Sequence, residues 1–306
     1  MDGYQKYCDL IEKANNLKRE IDKYEREYNK LIPNTKYEDE KTGLLFCSYC
    51  HTPMEKITGY SSYLNGKPYP DTTFIDCKCK EKHINNTKDY YNTLDLLRDM
   101  EQLQKRCFPD QSMTKLFLAK AQGNEKNIKV ICKYADNWET ALTNNIGLIL
   151  WGNIGTGKTY AAACLANELI CLYNTSVHMT NFATILNDLT SNANDRNEYV
   201  ENLCKCDLLI IDDLGMERNT SFATEQVYNV IDTRYQTQKP LVITTNLTLD
   251  FIKNPQNIEY ARIYDRILEM CTPIHFDGKN IRAEKAKEKF KVIKSFMGDD
   301  EKENER

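Results

Sequence analysis

The stretch that most limits what this chain can fold into is Gly152-Asn153-Ile154-Gly155-Thr156-Gly157-Lys158-Thr159. It satisfies G-x-x-x-x-G-K-[ST], and its flanks supply the context that the pattern requires. The apolar residues Gly147 to Trp151 precede it as a buried strand, and Tyr160-Ala161-Ala162-Ala163-Cys164-Leu165-Ala166 follows it as a helix. Glycines at these positions let backbone N–H groups turn inward around phosphate oxygens with no Cβ in the way. Lys158 then brings a point charge to the β- and γ-phosphates, the Thr159 hydroxyl can ligate Mg²⁺, and the helix N-terminus adds partial positive charge. The stretch reads as a nucleoside triphosphate site that takes ATP and Mg²⁺.

A second element sets the reaction. Leu208-Leu209-Ile210-Ile211 is a buried strand ending in Asp212-Asp213. A carboxylate at the end of a central strand, beside the phosphate loop, can hold the magnesium ion, and Asp212 takes that role. Asp213 is then placed to polarise the attacking water, making the chain an ATPase. Asp is one methylene shorter than Glu, so slow intrinsic hydrolysis is expected. Leu241-Val242-Ile243-Thr244-Thr245-Asn246 is a third strand. Set between the other two, it would bring Asn246 to the γ-phosphate or the water; alone, Thr-Asn at a strand end is a turn or cap. With a short strand near Ser176 to Met179, the pattern from about Trp138 alternates strands and helices. It predicts an α/β domain with a parallel sheet covered by helices on both faces, over 138–298. Residues 111–137 read as a linker, and the charged residues 299–306 as a frayed tail.

The N-terminal third has another character. Tyr7, Leu10, Ala14, Leu17, Ile21, Tyr24, Tyr28 and Leu31 recur at alternating three- and four-residue intervals, which predicts one helix stopped at Pro33. Tyr90, Leu94, Leu97, Met100, Leu103 and Cys107 mark a second helical face ended by Pro109. The two can form an intramolecular hairpin or a partner-docking arm; periodicity shows that a face is buried and not what buries it. Between them Gly43, Gly59, Gly66, Pro53, Pro68 and Pro70 punctuate short β-like runs. So small a segment needs a staple. Of the twelve cysteines, Cys47 and Cys50 form a C-x-x-C and Cys77 and Cys79 a C-x-C. Four thiolates closing a tetrahedral site predict a structural Zn²⁺ in about residues 44–83, with His51 or His83 as possible replacements for a sulfur. The chain begins without a basic start or apolar core and has no long apolar run, so neither a secretory signal nor a membrane span is expected; with its thiols reduced, the location expected is cytoplasmic.

Lys and Arg number 41 against 45 Asp and Glu, so any contact with nucleic acid must come from a local patch. Lys279 to Lys294 carries seven basic residues against Glu284 and Glu288. It is predicted to be a helix with Ala286, Phe290, Ile293 and Met297 on an inner face, and it either neutralises DNA phosphates or is simply solvated. Arg262 and Arg266, four apart, share a helical face. One of them could reach a neighbouring subunit's nucleotide, and Arg282 could sense phosphate within the same subunit.

Taken together, these residues resemble the AAA+ ATPases of the bacterial and phage helicase-loader group (DnaC/DnaI-like), related to the IstB-like ATPases. The resemblance rests on the phosphate loop, on Leu209-Ile210-Ile211-Asp212-Asp213-Leu214-Gly215, on Lys239-Pro240-Leu241-Val242-Ile243-Thr244-Thr245-Asn246-Leu247, and on Arg262-Ile263-Tyr264-Asp265-Arg266-Ile267. It spans about half the chain, residues 145–285. It implies the AAA+/ASCE P-loop NTPase fold, with Arg266 as the finger acting in trans on self-association and Arg282 as the sensor-2 arginine. It further implies that residues 1–110 dock a replicative DNA helicase, and that the helix around Phe182 to Leu189 meets single-stranded DNA. The forty residues after Arg266 are too few for a full helical lid. The expected function is a helicase loader in DNA replication. The alternatives are an IstB-like, ATP-dependent DNA-binding transposition helper, or a nucleotide-dependent interaction module with little turnover.

Overall fold

The computed structural model describes residues 2–32, 34–64, 67–121, 124–191, 195–215 and 220–297. Pro33, Gly66 and the tail 299–306 lie outside them. Two compact units divide the chain: Tyr7–Arg98, and Met1–Lys6 together with Asp99–Arg306.

Within Tyr7–Arg98, the three-four stripe forms helix α1 (Gly3–Asn29), whose Ala14 and Ile21 are buried. The helix ends before the proline, tightening into i→i+3 bonds from the Leu31 and Ile32 N–H groups to the Tyr28 and Asn29 carbonyls. Strands β1 (Lys36–Glu38) and β2 (Leu45–Cys47) pair antiparallel, as do β3 (Glu55–Leu64) and β4 (Lys67–Phe74). Helix α2 (Lys78–Cys107) starts twelve residues ahead of the stripe at Tyr90, because its first three turns are polar and carry no apolar period. Here α1 and α2 are partners. Tyr24 stacks on His83 at 4.4 Å, and Glu20 accepts from Asn86 at 2.9 Å and pairs with Lys82 at 3.0 Å. These contacts join α1 to the polar start of α2, ahead of the second stripe.

The larger unit continues with α3 (Glu125–Asp136), α4 (Trp138–Thr143), β5 (Gly147–Trp151), α5 (Lys158–Tyr173), β6 (Val177–Asn181), α6 (Phe182–Ser191) and α7 (Arg196–Cys204). It closes with β7 (Leu208–Leu214), α8 (Ser221–Thr237), β8 (Leu241–Thr245), α9 (Leu249–Lys253), α10 (Ile258–Met270), β9 (Cys271–His275) and α11 (Ile281–Met297). The sheet runs in the order β6-β7-β8-β5-β9, with every pair parallel. Side chains alternate across it. Ile149, Leu209, Ile211, Leu241 and Ile243 join Val227, Val230, Ile263 and Ile267 of α8 and α10 in one buried layer, and α5 covers the opposite face. This is the predicted α/β architecture with helices on both faces, and β8 lies between the two motif strands as the motifs require. A fifth strand, β9, was not among those predicted; it lies at the sheet edge, where its Pro273 needs no donor.

The predicted inner face of the last helix is corrected. Every side chain from Arg282 to Phe296 of α11 is exposed, Ala286, Phe290 and Ile293 included; that of Met297 lies outside the described residues. Lysines at 285, 287, 289, 291 and 294 surround the apolar groups, so no face could be buried without desolvating ammonium groups.

One buried cation holds the sheet together. Arg234 of α8, with no exposed surface, donates to the carbonyls of Cys204, Cys206, Asp207 and Pro240 at 2.5–2.9 Å, tying the chain entering β7 to that entering β8. Replacing it with Met removes the guanidinium donor from four carbonyls at once, of which that of Pro240 keeps a 3.4 Å bond from the Leu209 N–H. Chemical denaturation of Arg234→Met is expected to show a loss of about 4 kcal/mol; a loss under about 1 kcal/mol would mean the carbonyls find other donors.

Candidate nucleotide-binding site

The site grows from the C-terminal ends of β5, β7 and β8. At the end of β5 the chain turns through Gly152, whose φ of 144° and close approach to the Phe276 carbonyl exclude a side chain: a Cβ there would lie 2.4 Å from that oxygen. Gly157, at φ 94°, ends the loop, and α5 begins at Lys158. The Lys158 ammonium donates at 2.8 Å each to the Gly152 and Asn153 carbonyls and to Asn246 Oδ1. Burial pushes its pKa down, against the pull of Asp213 and Asp212.

Thr159, the next residue, donates to Asp212 Oδ1 at 2.8 Å. The same oxygen accepts from Thr244 Oγ1 at 2.5 Å, and Thr244 Oγ1 in turn accepts from the Asp213 N–H at 2.9 Å. Thr244 therefore fixes both aspartates, a role that Thr-Thr at a strand end does not announce, since only its register between β5 and β7 creates it. Burial pushes the Asp212 carboxyl up, with the two hydroxyls opposing. Asp213 adopts φ 56° and is exposed toward a cavity of about 580 Å³. Lys158, Thr159, Asn246 and Arg282 share that cavity with it.

Arg282 reaches the cavity because the Ile281 N–H donates to the Gly155 carbonyl at 2.9 Å, seating the first turn of α11 on the phosphate loop. Arg266 lies elsewhere: it pairs with Asp232 and sits over the Tyr228 and Tyr235 rings at 4.7 and 5.7 Å. Arg262, one turn before it, is exposed, and neither arginine lines the cavity. Asp212 and Thr159 offer hard oxygen donors side by side, the set that magnesium prefers.

In the Tyr7–Arg98 unit the sulfurs of Cys47, Cys50, Cys77 and Cys79 all lie within 4.8 Å of one another. Cys79 Sγ is 3.6 Å from Cys47 Sγ and 3.3 Å from Cys77 Sγ, near the roughly 3.8 Å edge of a tetrahedron with Zn–S bonds of about 2.3 Å. The tight C-x-C works because Cys77 precedes α2 and Cys79 occupies its first turn. His51 and His83 are not part of the cluster. Around it, the Tyr49 N–H donates to Cys47 Sγ at 3.4 Å and Thr52 Oγ1 lies 3.0 Å from Cys50 Sγ.

Over residues 125–289 the sequence matches the family described as IstB-like ATP binding protein. The chain belongs to that family. It is 24% identical over 277 residues to the replicative helicase loader DnaI of Bacillus subtilis (strain 168), covering 84% of this chain and 83% of that one. The replicative helicase loader DnaC of Buchnera aphidicola subsp. Schizaphis graminum (strain Sg) is 28% identical over 151 residues, 47% of this chain and 58% of DnaC. A solved structure of DnaI is 24% identical, covering 59% of this chain and all of that one, with a TM-score of 0.49. The resemblance to the DnaC/DnaI-like AAA+ ATPases and to their IstB-like relatives is thereby borne out. Among the described residues, no helix is long and apolar enough to cross a membrane.

Proposed function

We propose that this member of the IstB-like family binds and hydrolyses ATP with Mg²⁺ and acts in the cytoplasm as a replicative helicase loader on single-stranded DNA. The observation that carries this reading is the extent of the match to DnaI. At 84% of the chain it runs past the ATPase portion into the N-terminal region that carries the cysteine cluster. Residues 1–110 are then the portion that holds the helicase. The family match over 125–289 favours one other reading, an IstB-like transposition helper, because it concerns the ATPase portion alone.

In the proposed cycle Lys158 exchanges its loop carbonyls for the β- and γ-phosphates, and Thr159 and Asp212 are the residues that would hold a magnesium ion, which would supply neutralising charge to the phosphoryl oxygens. Asn246, already on the Lys158 ammonium, bonds the γ-phosphate or the water. Asp213 takes the proton from that water as its oxygen attacks phosphorus and ADP departs. Its short reach makes intrinsic turnover slow, leaving DNA or the partner to stimulate it. Arg282 binds phosphate in its own subunit, and Arg266 or Arg262 serves the neighbour's in trans. Four thiolates at Cys47, Cys50, Cys77 and Cys79 hold a structural zinc ion. The exposed basic helix α11 supplies the electrostatic part of DNA binding, and on the resemblance α6 contributes to it as well.

The test is capture of the host's replicative helicase by the intact chain with ATP present. Retention by the wild-type chain, lost in Cys77→Ser, is expected. ATP-dependent assembly on duplex DNA with no retention of helicase would instead establish the transposition reading.

A further inference from the structure

The cavity has a second lysine that the phosphate-loop pattern does not contain. Lys120 closes a short 3₁₀ turn, Leu118–Lys120, and lines the cavity beside Gly155, Lys158 and Tyr160. The same ammonium lies 3.9 Å from the centroid of the Tyr4 ring, well inside cation–π range. Tyr4 belongs to the first turn of α1, and that turn is fastened to the ATPase unit. The Gly3 N–H donates to the buried carboxylate of Glu168 at 2.6 Å, and Lys6 Nζ donates to the Leu172 carbonyl at 2.8 Å. The Tyr4 ring lies 5.2 Å from that of buried Phe117. Gly3 allows this approach: a Cβ there would come within 3.0 Å of Cys171 Cβ. Residues 3–6 thus lie on α5, the helix that the phosphate loop opens.

We propose that Lys120 is a nucleotide-binding residue and that Tyr4 is its positioning residue, which makes the first turn of α1 part of the nucleotide site. This rests on the nucleotide reading of the cavity. An ammonium carries three donors, and the ring engages one side of it, so the acceptor oxygens of a bound nucleotide take the other side without breaking the Tyr4 contact. In water a lysine on a short turn samples many rotamers. The ring holds this one at the cavity rim before ligand arrives, lowering the ordering cost on binding. Coupling is reciprocal: if Tyr4 tightens nucleotide binding, nucleotide tightens the hold on residues 3–6.

The experiment is titration of the full-length protein with ATP and with ADP, in the wild type and in Lys120→Met, Tyr4→Leu, Tyr4→Phe and the Lys120→Met/Tyr4→Leu double variant. Lys120→Met is expected to weaken binding about tenfold, the loss of a charge-assisted hydrogen bond. Tyr4→Leu weakens it about threefold. Tyr4→Phe, which keeps the ring face, retains wild-type affinity. The double variant binds no more weakly than Lys120→Met alone, because Tyr4 acts through the ammonium. Hydrogen exchange at the amides of residues 3–6 slows on saturation with nucleotide in the wild type and not in Lys120→Met. A wild type that binds nucleotide while Lys120→Met and Tyr4→Leu match it overturns this proposal alone. So does an undiminished Tyr4 effect in the Lys120→Met background. A wild type with no nucleotide affinity overturns both the proposal and the reading beneath it.

Discussion

Asp212→Asn is expected to abolish magnesium-dependent ATP hydrolysis, lowering turnover by about 100-fold or more, while nucleotide binding in the presence of EDTA stays near wild type. The substitution keeps the shape of the side chain. What it removes is the negative charge facing the metal, and it sets an amide where Thr159 and Thr244 now donate to one oxygen. One of those hydroxyls would then meet a donor or lose its partner. Steady-state hydrolysis and nucleotide titration with and without Mg²⁺ distinguish the outcomes. An unchanged turnover would remove Asp212 from the metal site and with it the proposed chemistry. The same carboxylate sets a pH limit. Its burial favours the neutral acid, so the group ionises above the ordinary carboxylate value of about 3.9. Magnesium binding requires the ionised form, so the acid limb of metal-dependent binding should lie above that range, and Asp212→Asn should remove it.

The second large effect concerns the cysteine cluster. Strands β1 to β4 are mostly exposed at the residues described, so their burial supplies little stability. Four sulfurs gathered from the C-x-x-C turn and the start of α2 are the strongest cross-link available to this segment. Zinc bound by such a set contributes about 10 kcal/mol or more to folding. Stoichiometric zinc is expected in the protein purified without chelator. Its removal, or Cys77→Ser, should abolish amide protection over 36–74 while nucleotide binding at Lys158 persists. The ATPase sheet has its own core, in Ile149, Leu209, Ile211 and Ile243, and does not depend on the ion. Protein free of metal with full protection over 36–74 would show that the thiols merely pack.

The sequence made some of this structure plain and hid other parts for identifiable reasons. The motif strands were legible because Leu208-Leu209-Ile210-Ile211 and Leu241-Val242-Ile243 are apolar on both faces, as strands covered on both sides must be. The β9 strand was not, since Thr272, Pro273 and His275 break any apolar run and only an edge position tolerates them. The start of α2 was hidden by its polar first turns. The phosphate loop and both aspartates could be named from spacing. Thr244 could not, because its bonds to Asp212 and from the Asp213 N–H exist only through strand register. Lys120 lies 38 residues ahead of Lys158 in a stretch with no motif, and only the folded chain returns it to the same cavity. The expected inner face of α11 failed because a few apolar residues at helical spacing do not make a core when lysines interrupt them on every side.

The bond from the Ile281 amide to the Gly155 carbonyl bears on more than the placement of Arg282. It roots a helix of otherwise exposed side chains in the phosphate loop itself. Any twist of that peptide plane is levered along α11, whose far end is some 25 Å away at about 1.5 Å per residue. The heading of a cationic rod would then track what the loop is holding, and a polyanion gripped by the rod would feel each turnover as a change of aim.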